Sequence, residues 1–253
     1  MDALHASRLR NARDLNSDKK TSESRKASGT GKSDTERKRS DVDGQFHIPP
    51  SWVWVNWECI LASGSGSFKR GPFGSALTKA IFVKEGYKVY EQYCPINDDC
   101  SFARYYITPE KYDEMKGFSV RPRDFLISCS GVTLGRITQV PDVYEEGIIN
   151  QALLRVRTEP RLIDDDFFKK LFRSPYFQGK LFDNSTGTAI PNLKGVADLK
   201  AIPVPLPPLA EQHRIVAKVD ELMALCDQLE AQLTITQTDS RRLLEAVLET
   251  ALI

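Results

Sequence analysis

The sequence predicts an α+β fold, a strand-rich mixed α/β domain followed by a long coiled-coil-type helix. Three observations carry this reading. Between residues 46 and 207, short runs of aliphatic and aromatic residues are separated by Gly and Pro, the pattern of strands joined by turns. After residue 208 the chain contains neither Gly nor Pro, and its apolar residues recur alternately four and three apart. Before residue 46 the apolar content collapses, so the folded part begins there.

Taken in order, residues 1–45 read as a disordered polar linker. Asn16 to Ser40 offers no aliphatic side chain larger than Ala27, so burial cannot offset the entropy of ordering it. Leu4 to Leu15 reads as a short helical remnant ahead of it. The domain spans 46–207. Trp52 to Trp57 alternates bulky apolar residues and reads as a strand. Ser63 to Ser75 reads as a Gly/Ser-rich loop. Tyr87 to Tyr90, Phe125 to Ser128, Gly135 to Val140 and Ile148 to Val156 read as further strands. Thr108-Pro109-Glu110 has the cap, first-turn Pro and early acid that open a helix. Asp164 to Asp166 caps an amphipathic helix over Phe167 to Phe182. Ile202 to Leu206 is extended, because each Pro pushes its predecessor out of the helical region.

Pro207-Pro208 sets the start of the final helix, 208–253. Ile215, Val219, Leu222, Cys226, Leu229, Leu233, Leu243 and Val247 form a heptad seam, interrupted by the polar Thr236 and Ser240. At 1.5 Å per residue the helix is roughly 65–70 Å long, more than one domain easily covers. The seam therefore reads as a helix-pairing surface.

Composition excludes several classes. The net charge of +1 lacks the overall basic signature of a nucleic-acid binder, but its distribution is uneven: +4 over 8–43, +2 over 46–208 and −4 over 209–253. Different segments should meet different partners. The five cysteines form no C-x-x-C pair and only three histidines exist, so neither a disulfide framework nor a zinc site is expected. Reduced thiols, an N-terminus without a signal-peptide core and the lack of a long apolar run point to a cytoplasmic protein with no membrane segment.

Catalytic motifs fail on inspection. Gly29-Thr-Gly-Lys-Ser33 resembles the end of a phosphate-binding loop, but Lys26 stands where its first Gly belongs. Gly64-Ser-Gly66 begins a dinucleotide pattern that Lys69 breaks. Ile48-Pro-Pro-Ser51 lacks the amide or acid of an amino-methyltransferase loop. Pro141-Asp142 and Asp198-Leu-Lys200 lie too far apart for a metal-dependent nuclease motif, and His47 and His213 sit in unrelated contexts. No catalytic residue, cofactor or metal is expected in this chain.

Two stretches carry a family signature. One is Ser185 to Leu193 running on to Ile202-Pro-Val-Pro-Leu-Pro-Pro-Leu-Ala-Glu-Gln212 and the helix beyond. The other is Gly71-Pro-Phe-Gly-Ser-Ala-Leu77 with Phe125 to Gly131. Together they resemble the specificity subunit of type I restriction–modification enzymes, over about residues 46–253. In that family, a target-recognition domain reads one half of a split DNA site. Two such units sit in one chain, their helices pair antiparallel as a spacer, and the helices dock methyltransferase subunits. This chain resembles the C-terminal half of that pattern. The resemblance implies double-stranded DNA and methyltransferase subunits as partners, with a restriction/translocase subunit reached through the complex. It also implies a homodimer or pairing with another specificity subunit.

Loops present sequence-reading residues to a groove, with phosphate contacts positioning the domain and a few side chains reading bases. The candidates are Ser67, Lys69, Arg70, Ser75, Lys79, Arg104, Tyr105, Arg136, Thr186, Thr188 and Asn192. Two other readings stay open: a decayed or stand-alone DNA-binding or interaction protein, and a catalytic nuclease or methyltransferase, against which the failed motifs count.

Overall fold

A computed structural model describes residues 46–73, 76–131, 133–182 and 193–251, with side chains of the last helix through Leu248. The expected linker over 1–45 lies outside them. The chain divides at Leu209–Ala210 into two compact units.

The first and last described strands of the first unit pair with each other. Strand β1 (Val53–Asn56) pairs antiparallel with β9 (Pro203–Leu206), from Val53 opposite Leu206 to Asn56 opposite Pro203. A two-stranded ladder tolerates Pro203 and Pro205 because each strand keeps an unpaired edge. The strand is shorter than the Trp52–Trp57 alternation suggests. Trp57 opens a 3-10 turn and is wholly buried, with the rings of Phe177, Phe68, Phe168 and Phe172 at 5.0 to 6.0 Å. Truncating an aromatic residue at such a site costs about 3–5 kcal/mol.

Two further sheets, among the described residues, carry the domain. A four-stranded antiparallel sheet runs β2 (Phe68–Arg70), β8 (Leu153–Val156), β5 (Phe125–Ser128), β6 (Ile137–Gln139). A three-stranded sheet runs β4 (Tyr106–Ile107), β3 (Tyr87–Tyr90), β7 (Gly147–Ile149), with β3 and β7 parallel. Ile148 to Val156, one apolar run in sequence, is therefore two strands in different sheets. Asn150 makes the break, its Oδ1 accepting the Ala152 amide at 3.0 Å. The Ser63–Ser75 stretch is likewise not all loop, because β2 lies within it.

Among the described residues, five short helices accompany the sheets: α1 (Tyr93–Asn97), α2 (Pro109–Glu114), α3 (Asp165–Arg173), α4 (Pro175–Leu181) and α5 (Val196–Lys200). Thr108 caps α2 by accepting the Lys111 amide, and Asp164 caps α3 by accepting the Phe167 amide. The expected Phe167–Phe182 helix is broken at Ser174. Pro175 has no amide to continue α3, and Ser174 caps α4 by accepting the Phe177 amide instead.

Charge is buried where segments must be held. Asp124 is 2% exposed and receives Arg157 on both oxygens, at 2.6 and 3.0 Å, and the Arg121 amide at 2.9 Å. Arg155, in the middle of β8, is 1% exposed and bonds the Gly66, Gly117 and Ser119 carbonyls. Burial, with Arg157 adding to it, pulls the Arg155 pKa down to about 10. Lys88, equally buried, donates to the Cys100 and Ser101 carbonyls at 2.7 and 3.2 Å and meets Glu145 at 3.2 Å.

The second unit is helical. Helix α6 runs Leu209–Ala251, 43 residues or roughly 65 Å. Leu222, Cys226, Leu229, Leu233, Leu243 and Val247 are exposed along the expected seam, and Ile215 and Val219 are partly exposed. Thr236, at the polar centre, donates its hydroxyl to the Gln232 carbonyl at 2.9 Å, so its polar group is already satisfied within the helix. Among the described residues no helix is long and apolar enough to cross a membrane, and no group of His, Cys, Asp or Glu could hold a metal ion.

Candidate nucleic-acid interface

Strand direction gathers one edge of the domain. Because β2 and β5 both run antiparallel to β8, they run the same way, and Arg70 and Ser128 end them on either side of β8, opposite Leu154 and Leu153. Because β3 and β7 are parallel, Tyr90 and Ile149 end together. The segments that follow all four strands therefore leave from one edge. The segments that lead into β4 and β6 arrive at the same edge, which brings Arg104, Tyr105 and Arg136 there.

The approach of these segments is close. A Cβ on Gly71 would lie 1.7 Å from the Asn150 carbonyl oxygen, so only Gly lets the chain leave β2 against the β7–β8 turn. Arg70 lies beside Phe73, 5.9 Å from the ring centroid, and its Nε is buried without a hydrogen-bond partner. It also lies against Cys129, whose thiol is pushed up to about 12 by burial despite the opposing influence of Arg70. Phe73 is 73% exposed. Gln92 crosses between segments, donating to Ser128 Oγ at 3.0 Å and to the Ser130 carbonyl at 2.6 Å.

Beside Gln92 lies a cavity of about 190 Å³, lined by Glu91, Gln92, Tyr93, Phe102, Arg104 and Asn150. Tyr93 and Phe102 stack at 4.1 Å across one wall. Arg104 donates to Glu91 Oε1 at 2.7 Å and lies 4.6 Å from the Tyr105 ring centroid. Tyr105 stacks on Phe82 at 4.3 Å, which ties in the 3-10 turn that begins with the exposed Lys79.

The sequence candidates thus separate. Arg70, Arg104, Tyr105 and Arg136 share this edge, while Lys79 is exposed on the 3-10 turn whose following residue, Phe82, stacks on Tyr105. Lys69 alternates to the other face of β2, with its ammonium 4.9 Å from the Phe118 ring centroid. Ser67 is buried and donates its hydroxyl to the Gly64 carbonyl at 3.0 Å. Ser75, Thr186, Thr188 and Asn192 lie outside the described residues. An antiparallel bridge between Phe182 and Leu193 closes the base of the segment that holds the last three.

Sequence reasoning missed Glu91, Gln92, Tyr93, Phe102 and Asn150. Glu91 and Asn150 follow directly on strands, Gln92 caps the short helix α1 and Tyr93 opens it. Only their positions just past the ends of β3 and β7 could have marked them, and the run over Ile148–Val156 concealed the second of those ends.

The cleft joins one exposed cation, Arg104, to amide, carboxylate and aromatic walls. The model of the type I restriction modification DNA specificity domain matches residues 78–236. The type I restriction enzyme EcoBI specificity subunit of Escherichia coli is 31% identical over 172 residues, covering 67% of this chain and 35% of that protein. The chain thus spans about a third of that relative's length. A solved structure concerned with complex assembly and conformational transition of the type I R-M system matches with a TM-score of 0.56 at 21% identity, covering 79% of this chain and 45% of its own. The HsdS subunit from Thermoanaerobacter tengcongensis matches with a TM-score of 0.51 at 22% identity, covering 72% and 40%. These last two show a shared fold.

Proposed function

The chain belongs to the type I restriction–modification DNA specificity family, and we propose that it recognises one half of a bipartite site in double-stranded DNA for partner subunits that carry the chemistry. The observation that supports this most directly is the convergence of four strand ends on one edge bearing Arg70, Gln92, Arg104, Arg136 and Asn150. Arg and amide side chains are the usual readers of base edges and binders of phosphate. The chain's part is recognition. Methyltransferase subunits and, through the complex, a restriction/translocase subunit would act where it binds. No cofactor or metal has a role in this part.

The exposed seam of α6 supports pairing. Fully burying side chains such as Leu222, Leu229 and Leu233 is worth about 1.5–3 kcal/mol each, and a second copy can cover the seam in a two-fold arrangement. The internally satisfied Thr236 lowers the cost of its polar centre. Two identical recognition domains would then read an interrupted palindrome, because two-fold proteins match two-fold sites. Pairing with the helix of another specificity subunit would give an asymmetric site instead.

Mapping methylated bases in cells with and without the gene tests the proposal. A split motif whose methylation vanishes with the gene is the expected result, and an unchanged methylation map would overturn it. Light scattering of the purified chain at tens of micromolar separates the pairing modes, since a strict monomer rules out the homodimer.

A further inference from the structure

The cleft beside Gln92 contains a carboxylate that is only half used. Glu91 Oε1 accepts Arg104 at 2.7 Å, while Glu91 Oε2 is buried and has no hydrogen-bond partner. A buried acceptor left unpaired is destabilising, so a fold that retains one calls for a partner that arrives on binding. The surroundings say what kind of partner. An ionised carboxylate only accepts, so the incoming group must donate. The wall is built to be rigid: Tyr93 stacks on Phe102, and Lys88 pins the Cys100 and Ser101 carbonyls, which anchors the approach to Phe102 and Arg104. Gln92 has given its amide hydrogens to Ser128 and Ser130, and Asn150 Oδ1 already accepts from the Ala152 amide. Glu91 therefore supplies the charged acceptor of this cleft.

In the major groove of a DNA duplex, the base-edge donors are the exocyclic amino groups of adenine N6 and cytosine N4. Thymine O4 and guanine O6 present acceptors, which a carboxylate repels. We propose that Glu91 is a base-discriminating residue of this domain, its carboxylate turning on binding so that Oε2, buried in the unbound chain, accepts an exocyclic amino hydrogen from an adenine or a cytosine. Arg104 holds the other oxygen. With 58% of its side chain exposed, Arg104 can also reach toward a phosphate. The inference rests on the DNA-recognition reading and adds to it the residue and the chemical class of its ligand.

The test is selection from a pool of random-sequence duplexes by the full chain, wild type beside Glu91→Gln and Arg104→Gln. The amide of the first variant keeps the shape of the side chain but can turn an NH2 outward, so it no longer rejects thymine or guanine. The wild-type chain should enrich a motif with adenine or cytosine fixed at one position. Glu91→Gln should lose discrimination at that position by roughly ten-fold and leave the others intact. Arg104→Gln should bind more weakly while selecting the same base. A wild-type motif that Glu91→Gln leaves unchanged would overturn this inference alone. A wild-type chain that enriches no motif overturns the recognition reading and this inference with it.

Discussion

Replacing Asp124 with Ala tests whether buried charge holds the domain together. The substitution removes two hydrogen bonds from Arg157 and one from the Arg121 amide, and takes away the carboxylate 3.9 Å from Arg155 Nε. Arg155 is 1% exposed and Arg157 19%, so neither guanidinium can recover its lost partner from bulk water without opening the structure. Removing one partner of a buried pair in this way costs about 3–5 kcal/mol. At roughly 2–4 °C per kcal/mol for a domain of this size, the melting temperature should fall by about 6–20 °C. Tryptophan emission is the right probe, because all three tryptophans lie within residues 52–57 and report on the domain rather than on α6. In urea the midpoint should drop while the slope stays unchanged. A loss below about 1 kcal/mol, the level of an exposed ion pair, would refute the reasoning.

Three further outcomes are expected. Arg70→Glu should weaken DNA binding about ten-fold and lower the dependence of log affinity on log salt by about one if a phosphate contact is lost; equal binding to wild type at every salt concentration would remove Arg70 from the interface. Gly71→Ala would force the β2 end away from the Asn150 carbonyl, for about 1–3 kcal/mol of stability and a measurable loss of DNA affinity, both read against wild type by melting and titration. Asp98 is held at about 2 because hydrogen bonds from Lys169, Arg173 and Thr138 outweigh the burial that opposes them. Its folded pKa lies below the ordinary 3.8, so its contribution is present above pH 3.8 and is lost as pH falls toward 2. Asp98→Asn should lower the melting temperature at pH 7 and flatten its decline over that acid window; a decline as steep as that of wild type would show that another group carries it.

Where one local signal dominates, the sequence was sufficient. The start of α6 after Pro207-Pro208, its heptad seam, the caps at Thr108 and Asp164, and the strands Tyr87–Tyr90 and Phe125–Ser128 are all legible, because backbone restriction, side-chain capping and apolar periodicity act within a few residues. The broken helix at Ser174 was legible in principle, since Pro175 announces it. Tertiary structure decided what lies between distant segments. Whether Ile148 to Val156 is one strand or two depends on which partners pair with each half, and no local pattern contains that. The faces of Lys69 and Arg70 diverge only once β2 is paired with β8. The shared edge exists because β3 runs parallel to β7 while β2 and β5 flank β8, and strand direction is a property of the whole sheet. Glu91 stands out for the same reason: Arg104, which takes one of its oxygens, and Phe102, which shares its cleft, are brought to it only by the fold.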